Sequence, residues 1–218
     1  MDYKDFKYIF PPRPEQKIKT DSLNKFPSDK YLAQVKLNGS CAVLFVEPNG
    51  HWQLWDRHKT ILPTRNIDFE NLKSKIGWNV FAGEYLNKNK QGEHGDFNKK
   101  FVIWDLLVKD GEYLVGKTFE QRQEELIKMM PCLTGIVNES GEFEQHEFLC
   151  CTPFKDIYRA PVFIGGDYTE LYNRAVKTDL YEGLVLKRRN AILTHGFNEK
   201  NNTDWQIKCR KETKNYSF

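Results

Sequence analysis

The chain has 218 residues, of which 39% are hydrophobic and 29% are charged. These values are typical of a soluble globular protein with one substantial core, and they exclude a disordered or fibrous chain. The formal net charge of +3 permits a phosphate-rich partner without requiring one.

The five cysteines form an odd set with no Cys-x-x-Cys pair, which indicates neither a disulfide framework nor a structural zinc site. The N-terminus lacks the apolar stretch of a signal peptide, and no apolar run approaches the ~20 residues that a membrane helix needs. We therefore expect an intracellular monomer in a reducing compartment, the cytoplasm or nucleus, with no membrane partner.

The sequence divides into a polar arm, residues 1–30, and a folded domain, residues 31–218. The prolines of the stretch Pro11–Pro14 disfavour regular structure in the arm. Beyond it, runs of β-branched and aromatic residues bounded by turn signals predict strands. The predicted strands are Tyr31–Val35, Cys41–Glu47, Trp52–Asp56, Val80–Leu86, Phe101–Val108, His146–Cys151, Gly183–Lys187 and Trp205–Cys209.

Helical patterns are fewer than strand patterns. The clearest is Phe119–Met130, with Thr118 as its N-cap and Pro131 at its end. Shorter helices are predicted over Asp68–Ile76 and Asp167–Lys177. Because strands and helices do not alternate regularly, the expected fold class is α+β built on antiparallel sheets.

The most informative position is a lysine in the turn between the first two predicted strands, in the tetrapeptide Lys36–Gly39. A lysine held on such a stiff frame can act as a nucleophile when its amine is not protonated. Taken alone, the tetrapeptide is more typical of a surface lysine beside a hairpin glycine.

Five short elements, taken together in chain order, favour the interpretation of Lys36 as a nucleophile. They are Lys36–Gly39, Gly83–Leu86, Phe101–Asp105, Glu182–Lys187 and Trp205–Arg210. The ordered set resembles the covalent nucleotidyltransferase superfamily of ATP-dependent DNA ligases, RNA ligases and mRNA capping enzymes. The resemblance implies a ligase-type adenylation domain whose antiparallel sheets are flanked by helices, as in ATP-grasp-like folds. It also implies an ATP-dependent polynucleotide ligase that uses ATP and Mg²⁺ (or Mn²⁺) to join 5′-phosphate and 3′-hydroxyl ends of RNA or DNA.

The resemblance also assigns roles to the matching residues. Lys36 takes the position of the lysine that carries the nucleoside monophosphate as a phosphoramidate, and Trp104 that of the aromatic residue that stacks on the purine. The implied catalytic residues are Lys36, Glu182 and Lys208. The implied nucleotide-binding residues are Gln34, Val35, Asn38, Arg57, Glu84, Trp104, Lys208 and Arg210. The implied metal-binding carboxylates are Glu84, Asp105 and Glu182.

Elementary chemistry is consistent with these roles but leaves alternatives open. A strand-edge carboxylate can hold hydrated magnesium, and a tryptophan face is a flat platform for a base. Trp104 equally suits a core position, and Arg57 an exposed strand end. Lys208 and Arg210 share one face of a strand, where cations either neutralise a phosphate or keep an edge strand soluble.

The chain departs from the family pattern in two respects. Asn38 stands where DNA ligases usually carry aspartate, and Cys41 where they commonly have arginine; with Ser40, these residues favour RNA ends. DNA remains an alternative, as do a capping guanylyltransferase and a non-catalytic nucleic-acid-binding relative. Few residues follow Arg210, which leaves no room for the OB-fold domain of DNA ligases, so a truncated domain and a minimal enzyme both stay open.

Overall fold

The computed structural model describes residues 13–64, 67–87, 98–133, 148–178, 180–194 and 202–212. The α-helices are α1 (Phe119–Met129) and α2 (Tyr168–Ala175), and short 3₁₀ helices span Thr20–Lys25 and Glu70–Leu72. The strands are β1 (Arg13–Ile18), β2 (Tyr31–Leu37), β3 (Ser40–Val46), β4 (Trp52–Asp56), β5 (Asn79–Leu86), β6 (Lys100–Lys109), β7 (Glu112–Tyr113), β8 (Cys150–Cys151), β9 (Ile157–Arg159), β10 (Tyr181–Arg188) and β11 (Asn202–Arg210).

The strands form two sheets. The smaller has the order β1-β11-β10-β2, and the larger has the order β4-β3-β5-β6-β9-β8 with β7 also pairing β6. Most neighbours are antiparallel, while the pairs β1/β11 and β6/β9 are parallel. The predicted α+β class is thus confirmed, and no OB-fold domain occurs in the part of the chain that the structure describes.

The chain passes from one sheet to the other at the turn Asn38–Gly39, because β2 lies in the smaller sheet and β3 in the larger. A Cβ atom on Gly39 would lie 2.5 Å from the carbonyl oxygen of Tyr85. Only glycine allows the two backbones to approach this closely. The turn that holds the candidate nucleophile therefore lies at the junction of the two sheets.

Each sheet carries one helix against an apolar face. Helix α2 packs Tyr172 and Ala175 into a buried cluster with Val35, Leu184 and Ile207 of the smaller sheet. Helix α1 packs on β6 of the larger sheet. The opposite face of the smaller sheet carries most of that sheet's polar side chains.

Some elements differ from the sequence-based expectation. Residues Arg13–Ile18 of the predicted irregular arm form an edge strand, where Pro14, which has no N–H to donate, is tolerated beside an irregularity in register. The helix expected over Asp68–Ile76 is a single 3₁₀ turn, because the chain becomes extended again at Lys73. Of the strand expected over His146–Cys151, only the last two residues are observed, and His146 lies outside the described residues.

No helix within the described ranges is long and apolar enough to span a membrane.

Candidate active site

The polar face of the smaller sheet arises from its register. Lys36 on β2 lies opposite Gly183 on β10, which lies opposite Arg210 on β11. Directly opposite residues of antiparallel strands point to the same side. Lys36 and Arg210 therefore share one face, separated only by a residue that has no side chain.

A second row lies two residues further along the strands, about 7 Å away. It consists of Gln34, Val185 and Lys208, again opposite one another on β2, β10 and β11. The two rows together give this face a glutamine, two lysines and an arginine.

Glu182 reaches the same face because the pairing of β10 with β2 shifts register between Tyr181 and Gly183. Such an irregularity redirects a side chain that regular alternation would place on the other face. Gly183 has φ of +143°, and a Cβ atom there would lie 2.1 Å from the carbonyl oxygen of Cys209. The close approach of β11 and the position of Glu182 thus depend on the same glycine.

Glu182 lies between two cations. Lys36 Nζ donates a hydrogen bond to Glu182 Oε2 at 2.6 Å, and a second, longer one to the carbonyl oxygen of Leu37 at 3.3 Å. Arg210 Nη2 lies 3.4 Å from Glu182 Oε1. The side chains of Lys36 and Glu182 are 25% and 11% exposed, so the pair is accessible to a ligand but partly shielded from water.

Glu84 approaches from the larger sheet. Its Oε1 accepts a hydrogen bond from the backbone N–H of Gly39 at 2.9 Å. On β5, Glu84 lies opposite Cys41 of β3. The carboxylate therefore fixes the turn that follows Lys36 and stands at the junction of the sheets.

These groups surround a cleft of about 470 Å³, a volume within the usual range for small-molecule sites. Six of the predicted site residues line it: Lys36, Asn38, Arg57, Glu84, Glu182 and Arg210.

Solved structures of DNA ligases share this architecture, while no family model and no curated protein matches the sequence. A mycobacterial DNA ligase D complexed with ATP and MES has a TM-score of 0.63 and 15% identity, covering 94% of this chain and 61% of that chain. The ligase domain of Mycobacterium tuberculosis LigD has a TM-score of 0.58 and 16% identity, covering 93% of this chain and 59% of that chain. The Chlorella virus DNA ligase-adenylate has a TM-score of 0.51 and 12% identity, covering 90% of this chain and 66% of that chain.

The chain has a DNA ligase nucleotidyltransferase-domain fold. The predicted ligase-type adenylation-domain fold is thereby confirmed. The chain spans about three fifths of the two DNA ligase D chains, at 61% and 59%.

Lys208 lies near three other cations. Burial lowers its pKa, and Lys17, Lys36 and Arg210 lower it further, while Glu182 acts in the opposite direction. A concentration of positive charge beside a cleft attracts anionic ligands such as phosphates.

Arg57 follows β4 at the rim of the cleft. Its Nε donates to Nε2 of His58 at 3.0 Å, and Asp56 Oδ1 accepts from the backbone N–H groups of His58 at 2.8 Å and Thr60 at 2.9 Å. The carboxylate of Asp56 thus shapes the turn that presents the guanidinium. The sequence-based prediction included Arg57 but missed His58, whose only signal is its position next to that arginine.

Two predicted site residues lie elsewhere. Asp105 is fully buried, and its two oxygens accept from Arg122 Nε at 3.0 Å and Nη2 at 2.9 Å. This carboxylate is committed to an internal ion pair, which argues against its predicted role in binding a metal. Val35 points away from the cleft and packs among the apolar residues beneath α2.

Gln34 and Trp104 lie behind the cleft, near the second row. Gln34 is 2% exposed, and its Nε2 lies 3.3 Å from the carbonyl oxygens of both Trp104 and Ala160. The Trp104 ring is half-buried between two apolar clusters. Base stacking on Trp104 and nucleotide binding by Gln34 stay predictions.

Among the residues that the structure describes, three carboxylates line the cleft, Asp56, Glu84 and Glu182. Because Asp56 Oδ1 already accepts from two backbone N–H groups of its own turn, Glu84 and Glu182 are the better candidates for a divalent cation. In the described ranges, no three His, Cys, Asp or Glu side chains are grouped so that they could hold a metal ion by themselves. Magnesium is commonly bound by one or two carboxylates together with water and substrate phosphates. The residues present fit a cation that arrives with a nucleoside triphosphate.

Proposed function

We propose that the chain is the adenylyltransferase domain of an ATP-dependent polynucleotide ligase, with Lys36 as its nucleophile. The observation that carries the proposal is the convergence of three charged groups in one cleft. Glu182 lies 2.6 Å from the Lys36 amine and 3.4 Å from the guanidinium of Arg210. An amine beside a carboxylate that also faces an arginine suits attack on an anionic phosphorus, where positioning and charge neutralisation supply most of the catalysis.

The observed ion pair is a resting arrangement. Lys36 Nζ donates to the Glu182 carboxylate at 2.6 Å, and an ammonium engaged in this way is not a nucleophile. Lys36 must therefore give up a proton to water, which reaches its 25%-exposed side chain, and turn from Glu182 towards the phosphate. Glu182 keeps a charged partner when it does so, because Arg210 already lies at its other oxygen. A bound Mg²⁺ or Mn²⁺ would supply further positive charge shared by Glu182 and the phosphate oxygens.

In the proposed first step, Lys36 Nζ forms a bond to the α-phosphorus of ATP while the bond from that phosphorus to the pyrophosphate oxygen breaks. Lys208 and Arg210 neutralise charge on the phosphate. The AMP then passes to a 5′-phosphate end, and a 3′-hydroxyl displaces it to form the phosphodiester. We assign Glu84 to the ribose, Trp104 to the purine, and Arg57 to a phosphate at the rim.

The type of nucleic acid is the open part of this proposal. Asn38, Ser40 and Cys41 all line the cleft, and their identities favour RNA ends. The shared fold with DNA ligases supports nicked DNA as the second candidate.

Incubation of the protein with ATP labelled at the α-phosphate and with magnesium tests the chemistry. We expect an acid-labile adduct on the wild type and on Lys128→Ala, which removes an exposed lysine paired with Glu125 on α1. We expect none on Lys36→Ala. An unlabelled wild type, or an adduct that persists in Lys36→Ala, would contradict the proposal.

Further substrates separate the alternatives. Labelling by GTP in place of ATP would indicate a capping guanylyltransferase. Sealing of nicked DNA, nicked RNA duplex and single-stranded RNA, compared under the same conditions, identifies the preferred ends. Tight binding to these substrates without any adduct would indicate a non-catalytic relative.

A further inference from the structure

A buried lysine lies one row beyond the residues described above. Lys187 on β10 is opposite Leu32 of β2 and Gln206 of β11, on the same sheet face as Val185 and two residues further along. It is only 2% exposed. The sequence analysis places Lys187 at the end of the motif Glu182–Lys187 but assigns it no role.

The amine of Lys187 is held by one polar group and two aromatic rings. Its Nζ donates a hydrogen bond of 2.7 Å to Gln34 Oε1. The same atom lies 4.5 Å from the ring centroid of Trp104 and 4.6 Å from that of Phe119. Both distances are within the range of cation–π contacts.

This placement is costly for the fold. Burial lowers the pKa of Lys187 to about 7; Asp105 on β6 and Cys41 on β3 oppose the shift, whereas Arg122 on α1 reinforces it. In the described ranges, no carboxylate forms an ion pair with this amine. An apolar side chain of the same length would fill the space without burying a charge. A cation here therefore calls for a role other than packing.

Gln34 connects this lysine to the backbone at the candidate base platform. Its Oε1 accepts from Lys187, and its Nε2 lies 3.3 Å from the carbonyl oxygen of Trp104. Gln123 of α1 also donates to that carbonyl oxygen, at 3.1 Å. The Trp104 ring is thus held both through its backbone and by the amine of Lys187 over its face.

We propose that Lys187 is a positioning residue for the nucleotide, holding the Trp104 ring and the Gln34 amide in the orientation that a purine base meets. This inference rests on the proposed function, because it assumes that ATP enters with its phosphates at Lys36 and its base towards the second row. Lys187 itself acts through the ring and the amide rather than on the reacting atoms.

The test compares Lys187→Met with Lys109→Met. Lys109 lies on β6, the strand of Trp104, and is paired with Glu125 outside the cleft. ATP affinity is measured by titration calorimetry at pH 6.5, and adduct formation is followed as a function of ATP concentration. We expect Lys187→Met to weaken ATP binding and raise KM about threefold to thirtyfold, with the rate at saturating ATP nearly unchanged. Lys109→Met is expected to match the wild type.

A double-mutant cycle with Trp104→Leu separates positioning from a general structural effect. If Lys187 acts through the ring, Lys187→Met weakens ATP binding much less in the Trp104→Leu background. Three results would each overturn the inference. They are an equal loss of ATP affinity in both backgrounds, wild-type ATP affinity in a folded Lys187→Met, and a lower rate at saturating ATP with an unchanged KM.

Folding and chemistry are controlled separately. Circular dichroism and thermal unfolding show whether Lys187→Met is folded. If Lys187→Met does not fold, the same measurements are made on Lys187→Gln, which keeps a donor for Gln34 but removes the charge. A wild type that binds ATP without forming an adduct removes the proposed chemistry but leaves this test intact. A wild type that does not bind ATP overturns both proposals.

Discussion

The buried amine of Lys187 predicts how the stability of the fold depends on pH. Burial lowers its pKa from 10.5 to about 7. At 1.36 kcal/mol per pKa unit, this difference corresponds to roughly 5 kcal/mol. The figure is an upper bound, because a charged side chain can relax towards water.

The sign follows from proton binding. The unfolded chain keeps the Lys187 proton up to about pH 10.5, whereas the folded chain keeps it only up to about pH 7. Between these values the unfolded state binds more protons, so the free energy of unfolding rises with pH. Below about pH 7 the full cost of burying the charge is present.

Urea unfolding of the wild type and Lys187→Met, followed by far-UV circular dichroism between pH 6.5 and 9.5, measures this effect. Other titrating groups are common to both proteins, so their contributions cancel in the difference between the two. We expect the wild type to gain several kcal/mol relative to Lys187→Met as the pH rises, whereas Lys109→Met, which removes a half-exposed lysine, is expected to follow the wild type. Parallel curves for the wild type and Lys187→Met across this range would refute the reasoning.

Three further substitutions test the stability of the fold by urea unfolding. Gly183→Ala places a Cβ atom 2.1 Å from the carbonyl oxygen of Cys209, and we expect a loss of at least about 3 kcal/mol; a loss below about 1 kcal/mol would show that the strands can separate without cost. Asp105→Ala leaves Arg122 buried without its carboxylate and is expected to cost about 3–5 kcal/mol, most of which the double change Asp105→Leu with Arg122→Met should restore. Thr118→Ala removes the side chain that accepts from the backbone N–H of Gln121 at the start of α1, with an expected cost of about 1 kcal/mol; an unchanged stability would mean that water satisfies this group equally well.

The sequence predicted the strands around the site well, because alternating and β-branched runs depend on local preferences. It did not predict that β2 and β3 belong to different sheets. That separation depends on the contact between Gly39 and the carbonyl oxygen of Tyr85, which is distant in the chain. The sequence also did not predict β9, because its three residues are too few to form a periodic pattern.

Asp105 shows where residue chemistry alone is insufficient. A carboxylate in an apolar strand requires a partner, and Arg122 supplies it here. The sequence does not identify Arg122 as that partner, because only the packing of α1 on β6 brings the arginine to the carboxylate. The resemblance to ligases favoured the metal because it describes which residues recur in that family and not which of them face the cleft.

Gly183 connects the fold to the proposed chemistry more directly than any charged residue. The register shift beside it places Glu182 on the cleft face, and its missing side chain lets β11 bring Arg210 to within 3.4 Å of that carboxylate. The distances from Glu182 to the Lys36 amine and to the Arg210 guanidinium therefore both depend on this one backbone irregularity. Substitution of Gly183 is expected to impair stability and adduct formation together, whereas Lys36→Ala is expected to abolish the adduct while leaving the backbone of both sheets in place.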